Sequence, residues 1–177
     1  MTTKHLTLQQ INKLDQHGFI HALGPLFEGP PWIIIEAEHT RPFSSRAELY
    51  KTLCAIMYRA PREQQITLLQ SHPDLVGRAA LAGTLSPAST GEQASAGLNT
   101  LTPEEIATFT RLNSAYQIRF GFPFVICARE NKKESILAGF AARMENSRDQ
   151  EITIALGEVA KICAFRLYDI VPEDEDE

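Results

Sequence analysis

The stretch from Thr102 to Pro123 constrains the fold more than any other part of the chain. Thr102-Pro103-Glu104-Glu105 is a helix start, with a hydroxyl N-cap, proline at the first helical position and a carboxylate placed to complete a capping box. Ile106, Phe109, Leu112, Asn113, Tyr116 and Phe120 follow at spacings of three and four, as the side chains on one helix face do. Gly121 and Pro123 then end the element. Similar signals recur elsewhere. Thr7 caps a segment carrying Leu8, Ile11 and Leu14, and Ser45 with Glu48 forms a capping box ahead of Leu49, Leu53, Ile56 and Met57. Pro61 stops or restarts that helix, and residues 64–70, 136–144 and 149–170 read as further helices. Trp32-Ile33-Ile34-Ile35 has strand composition but no partner strand, so a helical turn after Pro30-Pro31 competes with it. Residues 83–95 are small and polar and are expected to form a loop. Helix prevails, so the fold class is all-α, a single compact irregular helical bundle. No repeat or Gly/Ser linker divides the chain. Residues 1–171 therefore read as one domain, and residues 172–177 as an acidic tail expected to be disordered.

At 177 residues and 44% hydrophobic content, the chain is long enough to bury a real core. The net charge is -5 and there is no Lys/Arg block of five, so duplex nucleic acid and anionic membranes are excluded as partners. Cys54, Cys127 and Cys163 are odd in number, widely spaced and set in apolar surroundings. That pattern suits buried thiols in a reducing compartment. The first residues lack an apolar signal core, and no apolar run approaches the roughly 20 residues of a membrane helix. The acidic end carries no peroxisomal address. A cytoplasmic protein is expected. His17 and His21 would align on one helix face, but no third ligand is apparent, so no metal is expected. Walker, dinucleotide-binding and nucleophile-elbow motifs are absent, and no lysine suggests a pyridoxal Schiff base.

Four features can carry chemistry. In Ser71-His72-Pro73-Asp74-Leu75, His72 sits just past a helix end, because the following proline pushes it out of the helical region. It is either a general acid or base or an exposed turn histidine. Ser89-Thr90-Gly91-Glu92-Gln93 is either a capping box or a set of substrate-facing polar groups. In Arg119-Phe120-Gly121-Phe122-Pro123-Phe124, the helix breaks. The backbone of Phe124, Val125, Ile126, Cys127 and Ala128 then either reads a flat, amide-rich heterocycle or simply crosses the core. Arg166 shares an apolar helix face with Val159, Cys163 and Ile170 and must meet an anion, either Asp169 or a substrate carboxylate.

Taken in this order, these features resemble the 2-oxo-4-hydroxy-4-carboxy-5-ureidoimidazoline (OHCU) decarboxylase family. The matching stretches are His72-Pro73-Asp74-Leu75, Ser89 with Glu92-Gln93, Ala96-Gly97-Leu98, Leu112-Asn113, Tyr116, Arg119 to Phe124, and Arg166, with Arg41-Pro42-Phe43 as a weaker upstream match. The resemblance spans roughly residues 7 to 171. It implies an all-helical homodimer that needs no metal or organic cofactor and converts OHCU into (S)-allantoin and carbon dioxide during urate breakdown. His72 and Glu92 match the catalytic pair. Pro73, Ser89, Gln93 and the Phe124 to Ala128 backbone match substrate contacts, and Arg166 matches an arginine placed for the substrate. The acidic end departs from peroxisomal members and suggests a bacterial, cytosolic one. The implied chemistry is orientation of the carboxylate, stabilisation of charge in the ring and proton delivery to one face by His72. Two other readings use the same residues: a ureide hydrolase or isomerase that releases no carbon dioxide, and a non-enzymatic helical adaptor.

Overall fold

A computed structural model of the chain describes residues 5–172. The acidic tail beyond Pro172 lies outside the described residues. Every regular element in the described residues is helical: α1 Leu8–Lys13, α2 Gln16–Leu23, α3 Trp32–Glu38, α4 Arg46–Arg59, α5 Arg62–Gln70, α6 Arg78–Leu81, α7 Pro87–Ser95, α8 Pro103–Phe120, α9 Lys133–Arg143 and α10 Arg148–Ile170. Short 3-10 turns lie at Gly24–Leu26 and Ala128–Glu130. The all-α expectation holds, and Trp32 to Ile35 resolve as helix.

Local capping explains most of the boundaries. Thr102 Oγ1 accepts the Glu105 N–H at 3.3 Å, and the Glu105 carboxylate accepts the Thr102 N–H at 2.9 Å. α8 ends at Gly121, whose φ of 82° puts it in the left-handed region that glycine enters without a Cβ clash. The box at Ser45 is only half formed. Ser45 Oγ accepts the Glu48 N–H at 3.0 Å, while the Glu48 carboxylate accepts both the N–H and the hydroxyl of Ser44 at 2.6 Å. Those bonds hold the Glu48 carboxyl below the usual carboxylate range.

The loop expected over residues 83–95 is corrected. Ser86 is the N-cap of α7, accepting the Ser89 N–H at 3.1 Å, and Pro87 takes the first helical position. Ser-Pro is itself a helix start, since proline there gives up only an N–H that the first turn leaves unpaired. Small residues that suggest a loop by composition then continue as helix. The capping-box reading of Ser89 and Glu92 falls with it: Ser89 is already inside α7, and Glu92 lies in its interior.

The described residues form two compact units, residues 5–65 with 160–172 and residues 66–159, and α5 and α10 contribute to both. In the first unit Ile11, Phe19, Leu23, Ile34, Leu53, Met57 and Cys163 are buried. Polar side chains pin backbone around them. The Asn12 amide donates to Phe43 C=O at 2.8 Å and accepts from Phe43 N–H at 2.9 Å. The Tyr50 hydroxyl donates to Ala160 C=O at 3.1 Å. Burial pushes the Cys163 thiol well above its ordinary value, so it stays protonated.

An aromatic cluster organises the second unit. The Tyr116 ring lies 4.6 Å from Phe120 and 5.2 Å from Phe124, and Phe124 stacks on Phe140 at 3.8 Å. Beside it sits Glu151, which is fully buried. Its carboxylate takes Arg143 Nε at 3.0 Å, Arg143 Nη2 at 2.9 Å, the Asn146 amide at 2.8 Å and the Tyr116 hydroxyl. The Arg143 guanidinium lies 4.2 Å from the Phe124 ring centre and donates to Val125 C=O at 2.7 Å. Burial and the neighbouring Glu151 push the Tyr116 hydroxyl well above the usual tyrosine range, so it remains a donor. Glu151→Gln leaves the Arg143 charge buried without its counter-ion and should cost about 3–5 kcal/mol in urea unfolding. Glu36→Gln, which breaks the exposed Arg59–Glu36 pair, should cost less than about 1 kcal/mol. Equal effects of the two would mean that the buried Arg143–Glu151 pair is no costlier to break than an exposed one.

Candidate active site

The site starts where α5 stops. His72 precedes Pro73 and leaves the helix, yet its N–H still donates to Leu69 C=O at 3.1 Å. Its ring Nδ1 lies 3.0 Å from Leu68 C=O. A carbonyl only accepts, so Nδ1 bears the hydrogen, and proton exchange with a bound molecule has to run through Nε2. The ring is buried at 9% exposure, and its orientation is set by its own preceding turn.

The chain then turns sharply. The Gly77 N–H donates to Asp74 C=O at 3.2 Å, and Val76 within the turn has φ of 52°. A β-branched residue in that region carries strain on the order of 1–3 kcal/mol. Gly77 is required here, because a Cβ would lie 2.5 Å from Asp74 Cβ. Three side chains hold the turn in place. Gln93 Oε1 accepts the Val76 N–H at 3.0 Å, Asn113 Nδ2 donates to Leu75 C=O at 2.7 Å, and Gln117 Nε2 donates to Asp74 Oδ1 at 2.7 Å.

A cavity of about 350 Å³ opens beside this loop. His72, Pro73 and Asp74 line it, together with Arg78 and Ala79 of α6, Gln117 of α8 and Gly121 to Pro123 beyond α8. That volume falls within the range of small-molecule sites.

The other residues singled out by sequence are placed as follows. Ser89 and Gln93 are buried on α7 and Glu92 is half-buried there; none of the three lines this cavity. Ser89 Oγ lies 3.0 Å from Ser86 Oγ. The Gln93 amide braces the strained turn, with Nε2 also 3.4 Å from Asp74 C=O. Phe124 to Cys127 leave helix as expected, but side chains occupy several of their backbone groups. Val125 C=O is held by Arg143, Cys127 N–H donates to Glu158 Oε2 at 2.7 Å, and Cys127 C=O accepts from Asn131 Nδ2 at 2.9 Å. Ile126 is half-buried, and Ala128 opens the following 3-10 turn. Burial pushes the Cys127 thiol up, which keeps it neutral and a poor nucleophile. Arg166 belongs to the first unit, where Nη1 donates to Pro25 C=O at 3.0 Å and Nη2 pairs with Glu28 Oε1 at 2.9 Å. The His17 and His21 rings stack at 6.4 Å, and among the described residues no group of three His, Cys, Asp or Glu is placed to hold a metal ion.

Sequence reasoning missed Arg78, Gln117, Arg143 and Glu151. Each acts through a partner distant in sequence or a cavity wall, and no local motif announces such a role. Only the Glu151 position carried a signal, a carboxylate among the apolar residues of α10.

A helical frame that fixes an imidazole on a cavity of small-molecule size is an arrangement suited to acid–base chemistry. Comparison with known proteins narrows that chemistry. The family model described as OHCU decarboxylase matches residues 12–168, and the chain belongs to that family of decarboxylases. The 2-oxo-4-hydroxy-4-carboxy-5-ureidoimidazoline decarboxylase of Haloferax volcanii is 41% identical over 92% of this chain and 94% of its own. That of Amia calva is 39% identical over 94% and 95%, and that of Mus musculus 35% identical over 94% and 93%. An archaeon, a fish and a mammal thus share the family, which is not confined to bacteria. Among solved structures, an (S)-allantoin synthase superposes with a TM-score of 0.74 at 25% identity, over 93% of this chain and 54% of that one. An OHCU decarboxylase solved in the presence of (S)-allantoin shares the fold with a TM-score of 0.67 at 20% identity, over 88% and 96%. Among the described residues no helix is long and apolar enough to cross a membrane.

The bracing role of Gln93 is open to a direct check. Gln93→Leu removes the acceptor of the Val76 N–H and should destabilise the protein by about 1–3 kcal/mol, read as a lower urea midpoint. An unshifted midpoint would assign the Gln93 amide to a bound ligand instead of the turn.

Proposed function

We propose that this protein decarboxylates 2-oxo-4-hydroxy-4-carboxy-5-ureidoimidazoline to (S)-allantoin and carbon dioxide, with His72 delivering the proton. The observation that carries the reading is the His72 ring itself: it lines the cavity, and its Nδ1–H is committed to Leu68 C=O. Family membership supplies the reaction class.

Breaking the bond to the carboxylate leaves its electron pair on carbon and releases neutral carbon dioxide. The conjugated ring beside that carbon accepts the pair, so the substrate provides its own electron sink. The protein then has to orient the carboxylate out of the ring plane, so that the breaking bond overlaps the π system. It also has to deliver one proton to one face. In this reading the pair forms a double bond to the neighbouring, ureido-bearing carbon. The hydroxyl on the carbon that lost carbon dioxide then becomes a carbonyl as its proton passes to the conjugated nitrogen, and His72, as imidazolium, gives the Nε2 proton to the ureido-bearing carbon and regains one from solvent. Pro73 packs against the substrate beside it. Glu92 takes the substrate hydroxyl, Ser89 and the second Gln93 N–H read ureido groups, and the backbone of Phe124, Val125, Ile126, Cys127 and Ala128 offers what the side chains around it leave available. Arg166 anchors anionic oxygen. Glu92 and Arg166 enter through the family resemblance, and His72 and Pro73 also through the cavity. A cytoplasmic homodimer is part of the same reading.

The test is to generate the substrate in the cuvette from urate with urate oxidase and hydroxyisourate hydrolase, and to follow allantoin by circular dichroism. The expected result is a rapid rise of one enantiomer, reduced on the order of 10²–10⁴-fold in a folded His72→Ala variant. Racemic allantoin forming at the rate without enzyme would overturn the decarboxylase reading. Wild-type turnover in His72→Ala would overturn the proton donor alone.

A further inference from the structure

Arginine is mostly a brace in this protein. Arg46, Arg143, Arg148 and Arg166 each donate to a backbone carbonyl, and Arg59 pairs with Glu36. Arg78 is different. It opens α6, lines the cavity with His72, Pro73 and Asp74, and is exposed. Among the described residues no hydrogen bond or ion pair ties its side chain to the protein. The carboxylate on the same cavity, Asp74, is engaged by Gln117 at 2.7 Å instead. The cavity therefore has a carboxylate that is tied down and a guanidinium that is not.

We propose that Arg78 recognises the carboxylate of the incoming substrate at the cavity and so distinguishes substrate from product. The inference rests on the decarboxylase reading above. That reaction removes one negative charge from the bound molecule, since the carboxylate leaves as carbon dioxide and the molecule takes up one proton at the neighbouring, ureido-bearing carbon. A cation at the cavity thus attracts the substrate and has no ionic hold on neutral allantoin. The whole chain carries a net charge of -5, so an anion approaching it gains from a local positive group. Exposure suits the task. A solvated guanidinium adds a modest, salt-screened attraction during capture and need not hold the carboxylate as it leaves.

The experiment measures kcat and KM by the allantoin dichroism assay for wild type, Arg78→Gln, Arg78→Lys and Arg111→Gln, at low and high salt. Arg111→Gln removes the same charge from an exposed position on α8 outside the cavity. Arg78→Gln should raise KM about tenfold, with the loss falling on KM and not on kcat. It should also flatten the fall of kcat/KM with salt, leave inhibition by neutral allantoin as in wild type, and be largely rescued in Arg78→Lys. Arg111→Gln should behave as wild type. A wild-type KM and salt response in Arg78→Gln, or a loss confined to kcat, would overturn the assignment of Arg78 while the decarboxylase reading stands. Absence of turnover in the wild type would overturn both.

Discussion

The extended segment after α8 depends on one buried ionic group. Phe122 to Cys127 crosses the second unit without helical or sheet hydrogen bonds, so its polar backbone needs other partners. Arg143 supplies one at Val125 C=O, and it stays charged in an apolar setting because Glu151 neutralises it and Tyr116 and Asn146 complete the carboxylate's bonds. Such a network adds little net stability over a well-packed apolar core, since desolvation offsets most of the attraction. What it adds is geometry. The guanidinium is planar and rigid, so fixing it against Glu151 and the Phe124 ring also fixes where the Val125 carbonyl points. Phe124 stacks on Phe140 on the same account.

A second set of constraints acts on the loop that carries His72. The Val76 conformation is unfavourable by itself and persists because Gln93, Asn113 and Gln117 each hold a different part of the turn. These three come from α7 and α8, so the loop carrying His72 inherits the position of both helices. The arrangement gives Gln93, which sequence assigns to a substrate, a task in the frame as well. Gln93 contributes to a site by holding the loop that bears the imidazole, whether or not its remaining N–H also touches a ligand.

What was legible in the sequence follows from this division between local and distant causes. α8 was legible from Thr102 to Gly121 because its cap, its proline, its periodicity and its stop are all set by neighbours in sequence. His72 was legible as a residue just past a helix end for the same reason, since Pro73 alone removes it from α5. Where two local signals competed, the reading failed. Ser86-Pro87 and Ser89 with Glu92 both look like helix starts, and the small residues between them hid the earlier one. The half-formed box at Ser45 shows the limit of motif reasoning in the other direction, because Glu48 turns to Ser44. Distant partners left no trace. The Arg166 guanidinium was placed on an apolar face that demanded an anion, and Asp169 was the nearest candidate in sequence. The structure meets the demand with Glu28, which no spacing could have indicated.

Handedness is the feature that separates catalysed from spontaneous allantoin formation, and it too depends on the frame. A proton reaches one face of a planar carbon only if its donor cannot sample the other. An imidazole on a mobile loop would rotate about its side-chain torsions and present either nitrogen. Here the Leu68 carbonyl holds Nδ1 from within the preceding turn, so the ring and the helix end move together. The loop that follows is held at Val76, Leu75 and Asp74 by side chains from two further helices. Under the decarboxylase reading, stereochemical control is therefore a property of the frame around His72 more than of the histidine. Loosening any of the three braces should let proton delivery lose its facial preference before it loses its rate, because the ring remains present while its orientation is no longer single.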